Sequence, residues 1–191
     1  MIILDWVRDN AFLFLLLVIT VLCTRPVVRQ IRKARWKRKF LKSGIRDVDR
    51  MNGLQFEHFV GLLLAKLGYR SKVTKSSGDF GADVVLEGKD RIVIQCKRYR
   101  RKEKVGIAAV QQIFAARAFY DAKEAWVITN NVYSPSAKKL AFKCGVTLID
   151  RIGLCQMILK LHPDESARQV LDRNEFKGGE SYVGRKKEIT N

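Results

Sequence analysis

Two short apolar runs on either side of a polar turn constrain this chain more tightly than any other feature. Asp79-Phe80-Gly81-Ala82-Asp83 leads into Val84-Val85-Leu86, and Glu87-Gly88-Lys89-Asp90 separates that run from Arg91-Ile92-Val93-Ile94-Gln95-Cys96-Lys97-Arg98-Tyr99. Such a pair reads as a β-hairpin. Side chains alternate faces along a strand, so Ile92, Ile94 and Cys96 share one face and Val93, Gln95 and Lys97 the other. Directly opposed residues share a face. Pairing Val85 with Val93 therefore sets Asp83 opposite Gln95 and near Lys97. A carboxylate, an amide oxygen and an ammonium then meet on one patch of sheet.

Charge says what kind of partner to expect. The chain has 191 residues and a formal net charge of +18, an excess that points to a polyanion, either nucleic acid or an anionic membrane surface. Cys23, Cys96, Cys144 and Cys155 are scattered and form no Cys-x-x-Cys pair, and His58 and His162 are the only histidines. A zinc site needs about four clustered ligands, so zinc is excluded. Each cysteine sits in an apolar run, as a buried reduced thiol does, which fits a reducing compartment.

The N-terminus is an appendage. Ala11 to Thr24 is apolar over about 14 residues, about 21 Å as a helix, against roughly 30 Å for a bilayer core. Trp6 and Val7 extend it, with Arg8 and Asp9 at the interface. We expect a membrane span over residues 1–24. A cleaved signal would carry its positive charge before the apolar run. Here Arg25, Arg29, Arg32, Lys33, Arg35, Lys37, Arg38 and Lys39 follow it. That excess marks the cytoplasmic flank, so a single-pass protein of the bacterial inner membrane with a cytoplasmic C-terminal part is expected. Residues 25–50 read as a basic juxtamembrane linker. It suits anionic headgroups and DNA phosphates equally, and sequence does not separate them.

Residues 51–162 read as a globular domain. Asn52 caps a helix whose apolar face carries Leu54, Phe56, Phe59, Val60, Leu63, Leu64 and Leu67, stopped by Gly68. Arg70 to Thr74 is a strand, followed by a loop and the hairpin. Gly106 to Tyr120 is helical, and Ala125 to Thr129 suits a buried strand. Ser134 and Pro135 open another helix that ends near Gly145. Val146 to Ile149 is a last strand and Ile152 to Leu161 a last helix. Strands interrupted by helices on this spacing give an α/β domain with a mixed sheet. From Pro163 the composition turns polar, and residues 163–191 are expected to be a disordered tail.

The polar patch on the hairpin has the makings of a Mg²⁺-dependent phosphodiester-cleaving site. Asp83 supplies a hard anionic ligand, Gln95 a neutral carbonyl, and the backbone carbonyl of Cys96 a further oxygen. Lys97 can stabilise developing charge and hold or deprotonate the attacking water. Glu57 is placed to enter from the polar side of the first helix, while Asp79 either assists or only shapes its loop. The plainer reading is a solvated polar face on an ordinary surface sheet. Against it, Gln95 and Lys97 interrupt a run apolar enough for a central strand, and Gly78 and Gly81 flank Asp79, permitting close approach of a ligand. His58 reads as a boundary residue of its amphipathic helix. No Gly-x-x-x-x-Gly-Lys loop is present, which argues against ATP hydrolysis.

The ordered set Ser77-Gly78-Asp79-Phe80-Gly81-Ala82-Asp83-Val84-Val85, then Ile94-Gln95-Cys96-Lys97-Arg98-Tyr99, Val105-Gly106, Val110-Gln111, Val127-Ile128-Thr129-Asn130, Ser134-Pro135-Ser136-Ala137 and Leu148-Ile149-Asp150 resembles the Mrr-like branch of the restriction-endonuclease superfamily. That superfamily carries a PD-(D/E)XK signature, with Gln typically replacing the acidic residue in this branch. The resemblance spans about Met51 to Leu161. It implies a restriction-endonuclease-like mixed central sheet flanked by helices, and DNA cleavage with Mg²⁺ or Mn²⁺. Matched residue by residue, Asp83 falls on the metal-binding aspartate, Gln95 on the usually acidic position, Lys97 on the catalytic lysine and Glu57 on the acidic position of the first helix. Arg98, Lys75 and Gln111 are the expected DNA contacts. Where some relatives carry a DNA-recognition domain, this chain carries the expected anchor.

The expectation is therefore a membrane-anchored, Mg²⁺-dependent DNA endonuclease. A homodimer is expected if both strands are cut, since one site cuts one strand. The alternatives are a non-cleaving module that tethers DNA to the membrane, and a surface protein whose charge serves lipids alone.

Overall fold

The computed structural model describes residues 11–41, 43–74, 80–100 and 103–161. Contacts divide the chain into one unit that ends at Lys42 and a second that begins at Ser43. In the first, helix α1 runs unbroken from Ala11 to Leu41 through Pro26. The apolar segment and the basic stretch expected to be a linker thus belong to one helix over Ala11–Leu41. Thr20 and Thr24 turn their hydroxyls back onto Leu16 O (2.7 Å) and Val21 O (3.3 Å), the usual way a helix hides these groups. Leucines 13, 15, 16, 17 and 22 stand exposed. Among the described residues no helix is long and apolar enough to cross a membrane; from Arg25 the helix turns basic, and Met1–Asn10 of the expected span lies outside the described residues.

The second unit begins upstream of the expected boundary at Met51. Gly44 opens a short helix, α2 (Ile45–Val48), whose Ile45 and Val48 are fully buried. Two apolar side chains three residues apart in a basic stretch are enough to pull that stretch into the core. Helix α3 (Gly53–Lys66) starts as expected at Asn52. Asn52 Oδ1 accepts from Gln55 N–H (2.9 Å) and Gln55 Oε1 accepts from Asn52 N–H (3.0 Å), a reciprocal pair that satisfies two otherwise orphaned donors.

A five-stranded sheet follows in the order β1 (Arg70–Val73), β2 (Val84–Glu87), β3 (Ile92–Lys97), β4 (Glu124–Thr129), β5 (Val146–Ile149). β1, β2 and β3 pair antiparallel, and β3, β4 and β5 parallel. Parallel neighbours need crossover connections. Helices α4 (Ile107–Phe119) and α5 (Pro135–Cys144) provide them, and α6 (Arg151–Leu161) closes the described part. Ser134 caps α5 through Ala137 N–H (3.1 Å), and Gly145 ends it in the left-handed conformation at φ 65°.

The sheet is mixed, and its central strand β3 is buried from Ile92 to Cys96. On the face shared by Val85, Val93 and Val127, the helices contribute Ala109, Val110, Ile113, Ala116, Ala137 and Ala141. Small residues on α4 and α5 let the helices sit close. α3 packs on β1, β2 and β3, and α6 on β4 and β5. Since Ile45 belongs to this core, Ile45→Ala should destabilise the domain by about 2–5 kcal/mol, measured by chemical denaturation. Were residues 25–50 only a solvated linker, the substitution would be silent.

Candidate active site

The hairpin has the register that alternation predicts: Val84 faces Ile94, Val85 faces Val93 and Leu86 faces Ile92. Asp83 N–H extends the ladder by donating to Ile94 O (2.9 Å). On the other side Thr74 holds the same peptide, its N–H donating to Asp83 O (3.0 Å) and its hydroxyl bonding Ala82 O (2.8 Å) and Asp83 O (3.0 Å). The loop before it is shaped by Gly81, at φ 87°, where an added Cβ would sit 3.0 Å from Gln112 O of α4. Only glycine fits there without strain.

The carboxylate so placed is 6% exposed, and Gln95 opposite it 4%. Asp83 Oδ2 accepts from the Gln95 side-chain amide and from Cys96 N–H (2.6 Å). Charge-assisted bonds of this kind hold a buried anion. The amide nitrogen of Gln95 is thereby used, while its Oε1 is buried without a hydrogen-bond partner. Such an orphan costs about 1–3 kcal/mol. A half-turn of the amide would set Oε1 against the Asp83 carboxylate, acceptor against acceptor, a contact that only a cation between them would relieve. A buried carboxylate, an orphaned amide oxygen and the adjacent backbone carbonyl of Cys96 make an all-oxygen donor set. That is the chemistry of Mg²⁺ or Mn²⁺ and not of zinc. Among the described residues no group of three or more His, Cys, Asp or Glu side chains could hold a metal, so a cation here would depend on amide and backbone oxygens.

Lys97 shares its face with Gln95 and is half-buried. Glu57 is half-buried on α3, which packs on β3. The Cys96 thiol registers both: burial pushes its pKa well up, the Asp83 and Glu57 carboxylates push it further, and Lys97 pulls it back. Glu57, Asp83 and Lys97 thus all act electrostatically on one strand thiol.

Other expected residues fare differently. Gln111 is exposed on α4. Arg98 is half-buried, with Nη2 donating to Asp49 O (2.5 Å) and Nε buried without a partner, so its head group is anchored to the backbone ahead of α3. Lys75, Asp79, Gly78, His162 and the tail lie outside the described residues. His58 is half-buried on α3 beside Glu57.

Sequence reasoning missed the group that packs at the exit of β3. Asp49 forms a bidentate pair with Arg151 (2.7 and 2.8 Å) and also accepts from Asn130 Nδ2 (2.8 Å). In the sequence Asp49 marks only the boundary of the folded domain, and Arg151 carries no signal of its own. The signal available was the polar run Thr129-Asn130-Asn131 directly after an apolar strand, which marks a strand end but does not say what the side chains reach.

The restriction endonuclease family Mrr_cat matches residues 48–158. The chain belongs to that family. No curated protein matches it. Among solved structures it is similar to the DNA modification-dependent restriction endonuclease AspBHI, at 17% identity and a TM-score of 0.52, over 71% of this chain and 38% of that one. It also resembles the MspJI restriction endonuclease in complex with a 27-mer oligonucleotide (19% identity, TM-score 0.43, 61% of this chain and 31% of that one). A third likeness is to AF1548, a protein of unknown function (20% identity, TM-score 0.46, 62% of this chain and 94% of that one). The AspBHI likeness shows the fold. This Mrr_cat chain spans well under half the length of the two restriction endonucleases.

Burial sets the order of thiol reactivity in the domain. Cys96 is 7% exposed whereas Cys144 is half-buried at the end of α5. Within the domain, alkylation of the folded protein at pH 8 should therefore modify Cys144 before Cys96, which reacts only on unfolding, read by peptide mass spectrometry. Early labelling of Cys96 would mean that the site strand is open.

Proposed function

We propose that this Mrr_cat protein is a metal-dependent DNA endonuclease, tethered to the bacterial inner membrane by its N-terminal segment, with the nuclease domain in the cytoplasm. The observation that carries the nuclease chemistry is the orphaned Gln95 Oε1 beside the buried Asp83 carboxylate. Asp83, Gln95 Oε1 and the Cys96 carbonyl are the groups that would hold Mg²⁺ or Mn²⁺, and Glu57 adds a carboxylate from α3. When bound, the ion supplies a Lewis acid for the phosphate oxygens and acidifies a coordinated water.

The chain's own residues do the rest. Lys97 Nζ carries a proton and positive charge at the scissile phosphate, so it binds the non-bridging oxygens and stabilises the charge that grows there as the P–O bond breaks. Its three donors also orient the attacking water. The net charge of +18 raises the local concentration of DNA and makes binding steeply salt-dependent. Restriction of foreign or modified DNA is the role that the family's description suggests.

Support for the tether is the apolar first part of α1 with its back-bonded threonines and the Lys/Arg excess from Arg25. Helices of this composition are oriented with their basic flank inside.

The test is cleavage by the full-length chain, in mild detergent, of supercoiled, branched, single-stranded, unmodified and methylated DNA. Nicking is expected with Mg²⁺ or Mn²⁺ and none with EDTA. Asp83→Ala and Lys97→Ala should each lower the rate by at least about 100-fold, with DNA still bound by Lys97→Ala. Salt-dependent binding by the wild type with no cleavage of any substrate would replace this reading with a non-cleaving DNA tether. Deleting Met1–Thr24 should release the protein from the membrane fraction; retention there would refute the anchor.

A further inference from the structure

We propose that Thr129, Asn130 and Asn131 are positioning residues that fix the height and direction of Lys97; this rests on the nuclease reading above. Lys97 is the last residue of β3, and its parallel partner Thr129 is the last of β4. Backbone pairing between these two strands stops there. A catalytic ammonium at the end of four flexible carbons, on the final residue of a strand, is poorly placed unless something beyond the ladder holds the main chain.

The side chains that follow β4 take over the ladder. Thr129 Oγ1 donates to Lys97 O (2.6 Å). Asn130 grips Tyr99 at both ends of one residue: Tyr99 N–H donates to Asn130 Oδ1 (3.0 Å) and Asn130 Nδ2 donates to Tyr99 O (3.0 Å). Asn131 Nδ2 then donates to Arg100 O (2.7 Å). Three consecutive side chains thus hold residues 97, 99 and 100. All three are buried, at 0%, 3% and 5% exposure.

The clamp is itself braced. Asn130 Nδ2 spends its second hydrogen on Asp49 Oδ1 (2.8 Å), so flipping the amide would face its oxygen with the Asp49 carboxylate and the Tyr99 carbonyl. Asp49 is fixed by Arg151, which also donates to Asn130 O (2.9 Å). Asn131 N–H closes the circle on Thr129 Oγ1 (3.2 Å). As a stability device this is inefficient, since buried ionic and polar groups are often no better than apolar ones of the same size. As a positioning device it is well made. Each of these side-chain contacts holds the main chain at Lys97 or within three residues after it.

Three variants of the full-length chain test it: Thr129→Val, which keeps the shape and loses the Lys97 bond; Thr129→Ser, which restores it; and Asn130→Asp, which removes both donors. A displacement on the order of 1 Å at a reacting group costs about 100-fold. Thr129→Val and Asn130→Asp should therefore lower kcat by about that factor with KM for DNA unchanged, and Thr129→Ser should recover most of it. Leu154→Ala, which truncates a fully buried side chain of α6, serves as the destabilised control and should keep its kcat. Amide hydrogen exchange supplies a readout independent of activity, with faster exchange over Lys97–Arg100 in Thr129→Val but not in Leu154→Ala. Unchanged exchange there overturns the clamp. Faster exchange with kcat equal to the control's makes the three residues merely structural and also overturns it. If the wild type cleaves no DNA, the nuclease reading fails and takes the catalytic role of the clamp with it, whereas cleavage unaffected by Thr129→Val sinks the clamp alone.

Discussion

A carboxylate at the centre of a sheet is the constraint on which the rest of the domain depends. Asp83 is 6% exposed, and an anion in that setting is costly unless it is paired and hydrogen-bonded. Its bonds to the Gln95 amide and to Cys96 N–H exist only in one pairing of β2 with β3. A slip of one residue would turn every side chain of the strand to the other face, sending Gln95 and Lys97 away from the carboxylate. The burial that makes β3 a good core strand and the polar contacts that make it a site strand therefore select the same register. The positive φ of Gly81 and its close approach to Gln112 O bring the loop in at an angle that sets Asp83 against Thr74 just ahead of β2.

Much of this was legible from residue order because the forces involved are local. Period-two alternation and a polar turn of four residues leave one sensible pairing, and the paired residues Val85 and Val93 follow from it. Asn52 and Ser134 cap helices through bonds to residues three positions ahead, a distance that a sequence window covers. The brace at the strand exit was not legible for the opposite reason. Asp49 meets Asn130 across 81 residues and Arg151 across 102, and no local pattern distinguishes an aspartate that will find an arginine from one that stays in water. Ile45 and Val48 were missed likewise: two apolar residues cannot compete with the surrounding charge in a composition argument, yet in the fold they are fully buried.

The start of the domain and its site are in consequence physically joined. Asp49 follows the short helix Ile45–Val48 and lies in the same bonded group as Arg98, Asn130 and Arg151. Arg98, expected to meet DNA, ties the strand that carries Lys97 to the backbone of Asp49. A cut at the compositional boundary near Met51 would remove two core side chains and the carboxylate at the centre of that group. The functional unit of this family member is accordingly longer than its sequence motifs.

Glutamine at position 95 suits a site that is stable without a cation and that would also accept one. Two carboxylates facing each other at positions 83 and 95 would repel and raise one another's pKa until an ion arrived. An amide has a donor for one state and an acceptor for the other. With its nitrogen toward Asp83 it neutralises part of the carboxylate's charge; turned over, it would offer Oε1 to a cation that Asp83 would also hold. The cost is fewer negative charges at the ion, because Gln95 contributes none, and hence weaker binding of a hard dication. On the proposed nuclease reading, the phosphate of a bound DNA strand would supply the missing charge. On that reading cation and DNA would favour each other's binding, and the site would be complete only with its substrate.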